Sequence, residues 1–78
     1  MPHIIIKTIE GKSPELLAMA AKAAADAVAA VLDKPERAFS VAVEEYTFAQ
    51  WPAVYDQHIR DRQDVLVKPG YSCPVTFE

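Results

Sequence analysis

Two periodicities alternate along the chain. From His3 to Ile9, apolar and β-branched residues occupy both alternating faces, His3/Ile5/Lys7/Ile9 against Ile4/Ile6/Thr8. That pattern predicts a strand covered on both sides, with a helix as one cover. Glu10-Gly11-Lys12 makes a turn, after which Ser13 is a good N-cap, Pro14 a good first helical residue and Glu15 a favourable charge at the positive end of a helix dipole. The predicted helix runs from Pro14 to about Leu32, with Leu17, Ala20, Ala24, Val28 and Val31 as its apolar stripe and Glu15, Lys22 and Asp26 on the other side. Its many alanines permit close approach to a sheet. Asp33-Lys34-Pro35 ends it, because the residue before a proline is biased out of the α region.

A second strand, Ala38 to Tyr46, alternates Phe39, Val41 and Val43 with Ser40, Ala42 and Glu44. Strand, helix and strand make a right-handed parallel βαβ unit, but two strands are too few to stand alone. Gln50 to Lys68 reads as an interrupted helix with Trp51, Tyr55, Ile59 and Leu66 near one side. Pro69-Gly70 closes it, and Tyr71 to Glu78 is a tail that adds a short strand or lies on a neighbour. The expected fold class is α+β: a β-α-β unit with parallel strands plus a C-terminal helical segment, in a single domain spanning 1–78, completed by oligomerisation.

Size makes the last point necessary. A chain of 78 residues buries only about 60% of the surface its unfolded form exposes. The single Cys73 excludes an intrachain disulfide, so the aid expected for so small a core is self-association, in keeping with a hydrophobic fraction of 51%. A homo-oligomer is therefore expected. The net charge of −3 and the lack of a Lys/Arg cluster argue against a nucleic-acid partner. The apolar run Ile4 to Ile6 is far shorter than a signal-peptide core, and nothing approaches the ~20 apolar residues that span a bilayer, so a soluble cytoplasmic protein with no membrane partner is expected. Two histidines without ligand spacing predict no metal site, and with Gly11 and Gly70 as the only glycines there is no phosphate-binding loop and no cofactor is expected.

The chemistry rests on position two. A small second residue is compatible with removal of the initiator methionine, and removal of Met1 would leave Pro2 as a free secondary amine. Within a chain the proline nitrogen is an amide without basicity; at a terminus it is a rigid amine that accepts and returns a proton. An ordinary α-amino group titrates at about 7.7 to 8.0 and a secondary amine is intrinsically more basic, so a useful base needs its charged form destabilised by burial or a nearby cation.

The residues Pro2-His3-Ile4 opening a strand, Glu10-Gly11-Lys12-Ser13 before the helix, Leu32-Asp33-Lys34-Pro35 after it and Trp51 beyond the second strand resemble the 4-oxalocrotonate tautomerase family. The resemblance runs from Pro2 to about Trp51. Further on, Lys68-Pro69-Gly70-Tyr71-Ser72 is more like the branch of dimeric bacterial tautomerases. The resemblance implies a keto-enol tautomerase, an isomerase, that works on an enol or keto acid without metal or cofactor. By position Pro2 matches the catalytic general base. Lys12 stands where the family often has a carboxylate-binding arginine, and Trp51 stands where an aromatic lines the pocket. Ser40 is a departure, since hexameric members carry an arginine there, and it fits a monocarboxylate or neutral enol such as an arylpyruvate enol. A 2-hydroxydienoate is the other substrate class implied. His3, beside Pro2, is a further candidate substrate-binding residue.

Strand geometry adds a separate constraint. Ten residues from Pro2 to Lys12, at ~3.3 Å each, place the two up to ~30 Å apart. Antiparallel pairing of first strands from two subunits would bring a partner's Lys12 toward Pro2, and the long C-terminal segment favours a dimer over a hexamer. Two alternatives remain. One is a hydratase, decarboxylase or dehalogenase with a protonated Pro2 and a carboxylate such as Glu44 or Glu45 activating water. The other is a non-catalytic dimeric ligand-binding module.

Overall fold

The structure, a computed structural model, describes residues 1–73 and the backbone of 76 and 77. It divides into two compact units, Met1–Tyr46 and Thr47–Glu78.

In the first unit, strand β1 (His3–Ile9) is followed by helix α1 (Pro14–Leu32), a 3-10 turn at Glu36–Ala38 and strand β2 (Ser40–Tyr46). The strands pair in parallel with His3 opposite Ser40 and Ile9 opposite Tyr46, so the β-α-β unit is formed as expected. Gly11, between β1 and α1, has φ +118°, a conformation open to glycine and strained for any residue with a Cβ. Helix α1 starts as its sequence requires: Ser13 Oγ accepts from the Leu16 N–H at 3.1 Å, and Pro14 occupies the first turn. It ends on Asp33, in the left-handed region at φ 55° with its N–H on the Ala29 carbonyl.

The inward face of α1 keeps Leu17, Ala24 and Val28 of the expected stripe but is centred on Ala25 and Ala29 and leaves out Ala20 and Val31. Ala25 and Ala29 are its buried residues and Leu17, Ala21, Ala24 and Val28 are half-buried, whereas Ala20 is exposed and Val31 is 84% exposed. The smallest side chains face the strands because they let the helix backbone come close. The parallel register puts Ile4, Ile6, Val41 and Val43 on one face of the sheet, all half-buried. The opposite face carries Ile5, 50% exposed, together with His3, Ser40, Lys7 and Glu44. Within this unit β1 is therefore covered on one side, not on both. The second strand begins at Ser40 and not Ala38, since the three residues before Phe39 close the 3-10 turn.

The second unit opens with a 3-10 turn at Phe48–Gln50, capped reciprocally by Thr47 and Gln50, which leads into helix α2 (Trp51–His58). Val54 and Tyr55 are buried. The helix stops ten residues short of the Lys68 expected: Ile59 leaves helical geometry at φ −122° and Asp61 enters the left-handed region at φ 54°. Leu66 lies beyond the helix, 90% exposed. In the expected tail, Tyr71–Ser72 (β3) pairs antiparallel with Thr76–Phe77 (β4), while residues 74, 75 and 78 lie outside those described. Among the described residues no helix is long and apolar enough to cross a membrane.

Candidate active site

At the leading edge of the parallel sheet, the ladder begins by joining residues separated by almost half the chain. The Ser40 N–H donates to the Pro2 carbonyl at 3.2 Å, and the Ser40 hydroxyl lies 2.6 Å from His3 Nδ1. Register produces both contacts, because His3 and Ser40 are partners on the first rung and paired residues in a parallel ladder project to the same face. Pro2 is half-buried, and Met1 before it is fully exposed. Three of the expected site residues, Pro2, His3 and Ser40, are thus brought together within one chain.

Lys12 is not. It is exposed, just past Gly11 at the far end of β1, so the seven residues of the strand hold it about 23 Å from the Pro2 end. Trp51 belongs to the second unit, where it opens α2. It is half-buried and its Nε1–H donates to Tyr71 Oη at 3.0 Å, and Tyr71 in turn packs on Tyr55 with ring centroids 5.8 Å apart.

On the same sheet face as His3 and Ser40, two rungs further along each strand past Ile5 and Ala42, is a polar cluster that the sequence reading did not assemble. Lys7 Nζ donates to Glu44 Oε1 at 2.5 Å and to Tyr46 Oη at 3.3 Å, and the Tyr46 hydroxyl donates to Glu44 Oε1 at 2.6 Å. Hydrogen bonding to the Glu44 carboxylate, then to Tyr46, raises the Lys7 ammonium above the ordinary lysine value. The available signal was spacing: Lys7 follows His3 by four and Glu44 follows Ser40 by four, so a register that pairs one rung pairs the other. Glu45 lies on the opposite face by alternation and is exposed. Among the described residues no group of His, Cys, Asp and Glu is arranged to hold a metal ion, and Cys73 is a free thiol.

Residues 2–62 match the family described as Tautomerase, tautomerase enzyme. The chain belongs to the tautomerase family. It is also 40% identical over 73 residues to a probable tautomerase of Xylella fastidiosa (strain 9a5c), an alignment that takes in 91% of this chain and 89% of that relative. The match to this tautomerase family begins at Pro2, the residue pinned by Ser40, and leaves the exposed Met1 outside it.

Proposed function

We propose that this chain is a cofactor-independent keto-enol tautomerase of the 4-oxalocrotonate tautomerase type, acting on an arylpyruvate-type enol or a 2-hydroxydienoate. In this reading Met1 is removed and the Pro2 ring nitrogen is the general base. The enol O–H bond breaks as its proton passes to the Pro2 nitrogen. The enol double bond shifts to form the carbonyl, and the nitrogen returns a proton to carbon as the new C–H bond forms. A positioned base of matched pKa contributes about 10²- to 10⁴-fold in rate.

The observation that carries this reading is the way Pro2 is held. Its carbonyl is fixed by the Ser40 N–H, while the residue on its other side is fully exposed. Loss of Met1 therefore uncovers the nitrogen without releasing the strand that positions it. Ser40 supplies a hydroxyl and no charge, which supports a monocarboxylate or neutral enol over a dicarboxylate. The hydratase reading requires a carboxylate beside Pro2 to activate water, but Glu44 is engaged by Lys7 and Tyr46 about 13 Å along β2 from Ser40.

A homo-oligomer, with a dimer ahead of a hexamer, completes the proposal. The two-stranded sheet is marginal alone, Ile5 on its helix-free face is half-exposed, and Lys12 can join Pro2 only from a second copy. The test follows ketonisation of phenylenolpyruvate and of 2-hydroxymuconate by protein whose mass shows Met1 removed. Turnover is expected on both, faster on the monocarboxylate. No acceleration of either over buffer refutes the proposal.

A further inference from the structure

Ser40 grips the start of β1 at two points, one through its main chain to Pro2 and one through its hydroxyl to His3. Among the described residues the hydroxyl has a single side-chain partner, His3 Nδ1 at 2.6 Å. A neutral imidazole has one nitrogen that donates and one that accepts, and the partner of the first nitrogen decides which form is present. The Ser40 hydroxyl can donate as well as accept, and among the described side chains His3 Nδ1 is the acceptor within hydrogen-bond distance of it. With Nδ1 accepting, the ring proton resides on Nε2. His3 is exposed and follows Pro2 directly in the chain, so that N–H is open to solvent and to a ligand at the start of the strand. The opposite tautomer would turn a lone pair toward the oxygens of an enol acid, which repel it.

We infer that Ser40 fixes His3 in its Nε2–H form, and that this N–H donates to the carboxylate or enol oxygen of a substrate at Pro2. The inference rests on the tautomerase reading and deepens it, naming the group that reads the substrate where the resembling hexamers carry an arginine. The pair offers one directional neutral donor in place of a fixed cation. It therefore selects 2-enol monocarboxylates, whose single anionic end it can satisfy, over dicarboxylates. The nearest charged groups on the same sheet face, Lys7 and Glu44, are spent on each other and do not compete for the ligand. His3 is the binding residue; Ser40 is a positioning residue that acts through it.

The experiment uses the full chain with Met1 removed, as wild type, Ser40→Ala and Ser40→Thr. Nitrogen-15 spectra of His3 are recorded at pH 8, above the usual imidazole range, with and without cinnamate, an aryl carboxylate that cannot enolise. Wild type is expected to show Nδ1 as a bare acceptor and Nε2 protonated, with the Nε2–H resonance moving on cinnamate binding. Ser40→Ala keeps the main-chain bond to Pro2, so the strand stays in place while the His3 ring is freed into mixed tautomers. The KM for phenylenolpyruvate then rises about 3- to 10-fold, the effect of one hydrogen bond, with kcat little changed. Ser40→Thr, which restores a hydroxyl in a residue suited to strands, is expected to recover both the spectrum and KM. A protonated Nδ1 in wild type, an Nε2–H signal indifferent to saturating cinnamate, or an unchanged KM in Ser40→Ala overturns the inference. A wild-type protein that binds cinnamate through His3 yet accelerates no ketonisation would instead overturn the proton-transfer reading while leaving this one standing.

Discussion

Retention of Met1 is the sharpest perturbation available, because it changes the chemistry of one atom and almost nothing else. The form that keeps Met1 is made by expressing the protein while methionine aminopeptidase is inhibited, and intact mass distinguishes it from the processed form. Met1 is fully exposed, and the contact that anchors Pro2 uses its carbonyl oxygen, which is the same in both forms. A surface change of this kind alters stability by no more than about 0.5 kcal/mol, which for a domain of this size moves Tm by about 2 to 4 °C at most. The nitrogen changes completely, since in the retained form it is a planar amide whose lone pair is delocalised into the carbonyl. The expected loss is the whole general-base contribution, about 10²- to 10⁴-fold in kcat/KM for phenylenolpyruvate, with Tm kept within that small range. A retained form as active as the processed one would refute the assignment of Pro2. A retained form that had lost several degrees of Tm would show that Met1 is not the inert residue its exposure indicates.

Other perturbations address the elements that position the site. Ser13→Ala removes the 3.1 Å cap on the Leu16 N–H and is expected to cost about 1 kcal/mol, a fall in Tm of about 4 to 8 °C by calorimetry. Gly11→Ala is expected to cost about 1 to 3 kcal/mol in urea unfolding, all of it backbone strain at φ +118°, since an added Cβ meets nothing within 4 Å. Asp33→Gly is expected to raise Tm, because glycine takes the left-handed cap at φ 55° without the penalty other residues carry and removes an acid from the negative end of α1. The Lys7 pKa is raised in the folded protein by Glu44 and Tyr46, so the stability it contributes is full below the unfolded lysine value near 10.4 and is lost as pH rises through the folded value. Lys7→Met is expected to remove that part of the alkaline decline in Tm.

The limits of α1 were legible because caps are local chemistry. Ser13, Pro14 and the Asp33-Lys34-Pro35 stop each act within a few residues of themselves, and the helix begins and ends where they say. Its inward face was legible in part: Leu17, Ala24 and Val28 lie on it and Ala20 and Val31 do not, since on a helix so rich in alanine the apolar pattern barely distinguishes neighbouring sides. Packing decided it: Ala25 and Ala29 turn inward, while the bulkier Met19 and Val31 stand outward, 67% and 84% exposed. The end of α2 was hidden for a different reason. No glycine or proline lies between Ala53 and Lys68, and the break falls at Ile59 and at Asp61, an acid that tolerates the left-handed region but does not announce it.

Pro2 could be singled out from residue type alone, because only proline gives a secondary amine when uncovered. The His3–Ser40 contact could be named only as two separate candidates, since it depends on register, and a slip of one residue would send the pair to opposite faces. Register also separates the two kinds of substrate contact the proposal contains. Pro2, His3 and Ser40 are gathered by a parallel ladder inside one chain, whereas the length of β1 keeps Lys12 away from its own Pro2. Any contribution from Lys12 must therefore pass between copies and vanish on dilution below the assembly threshold, while the tautomer of His3 is set within the protomer and survives it. A monomeric variant that keeps the His3 spectrum but loses carboxylate affinity would be the expected signature of a site half built by one chain and finished by another.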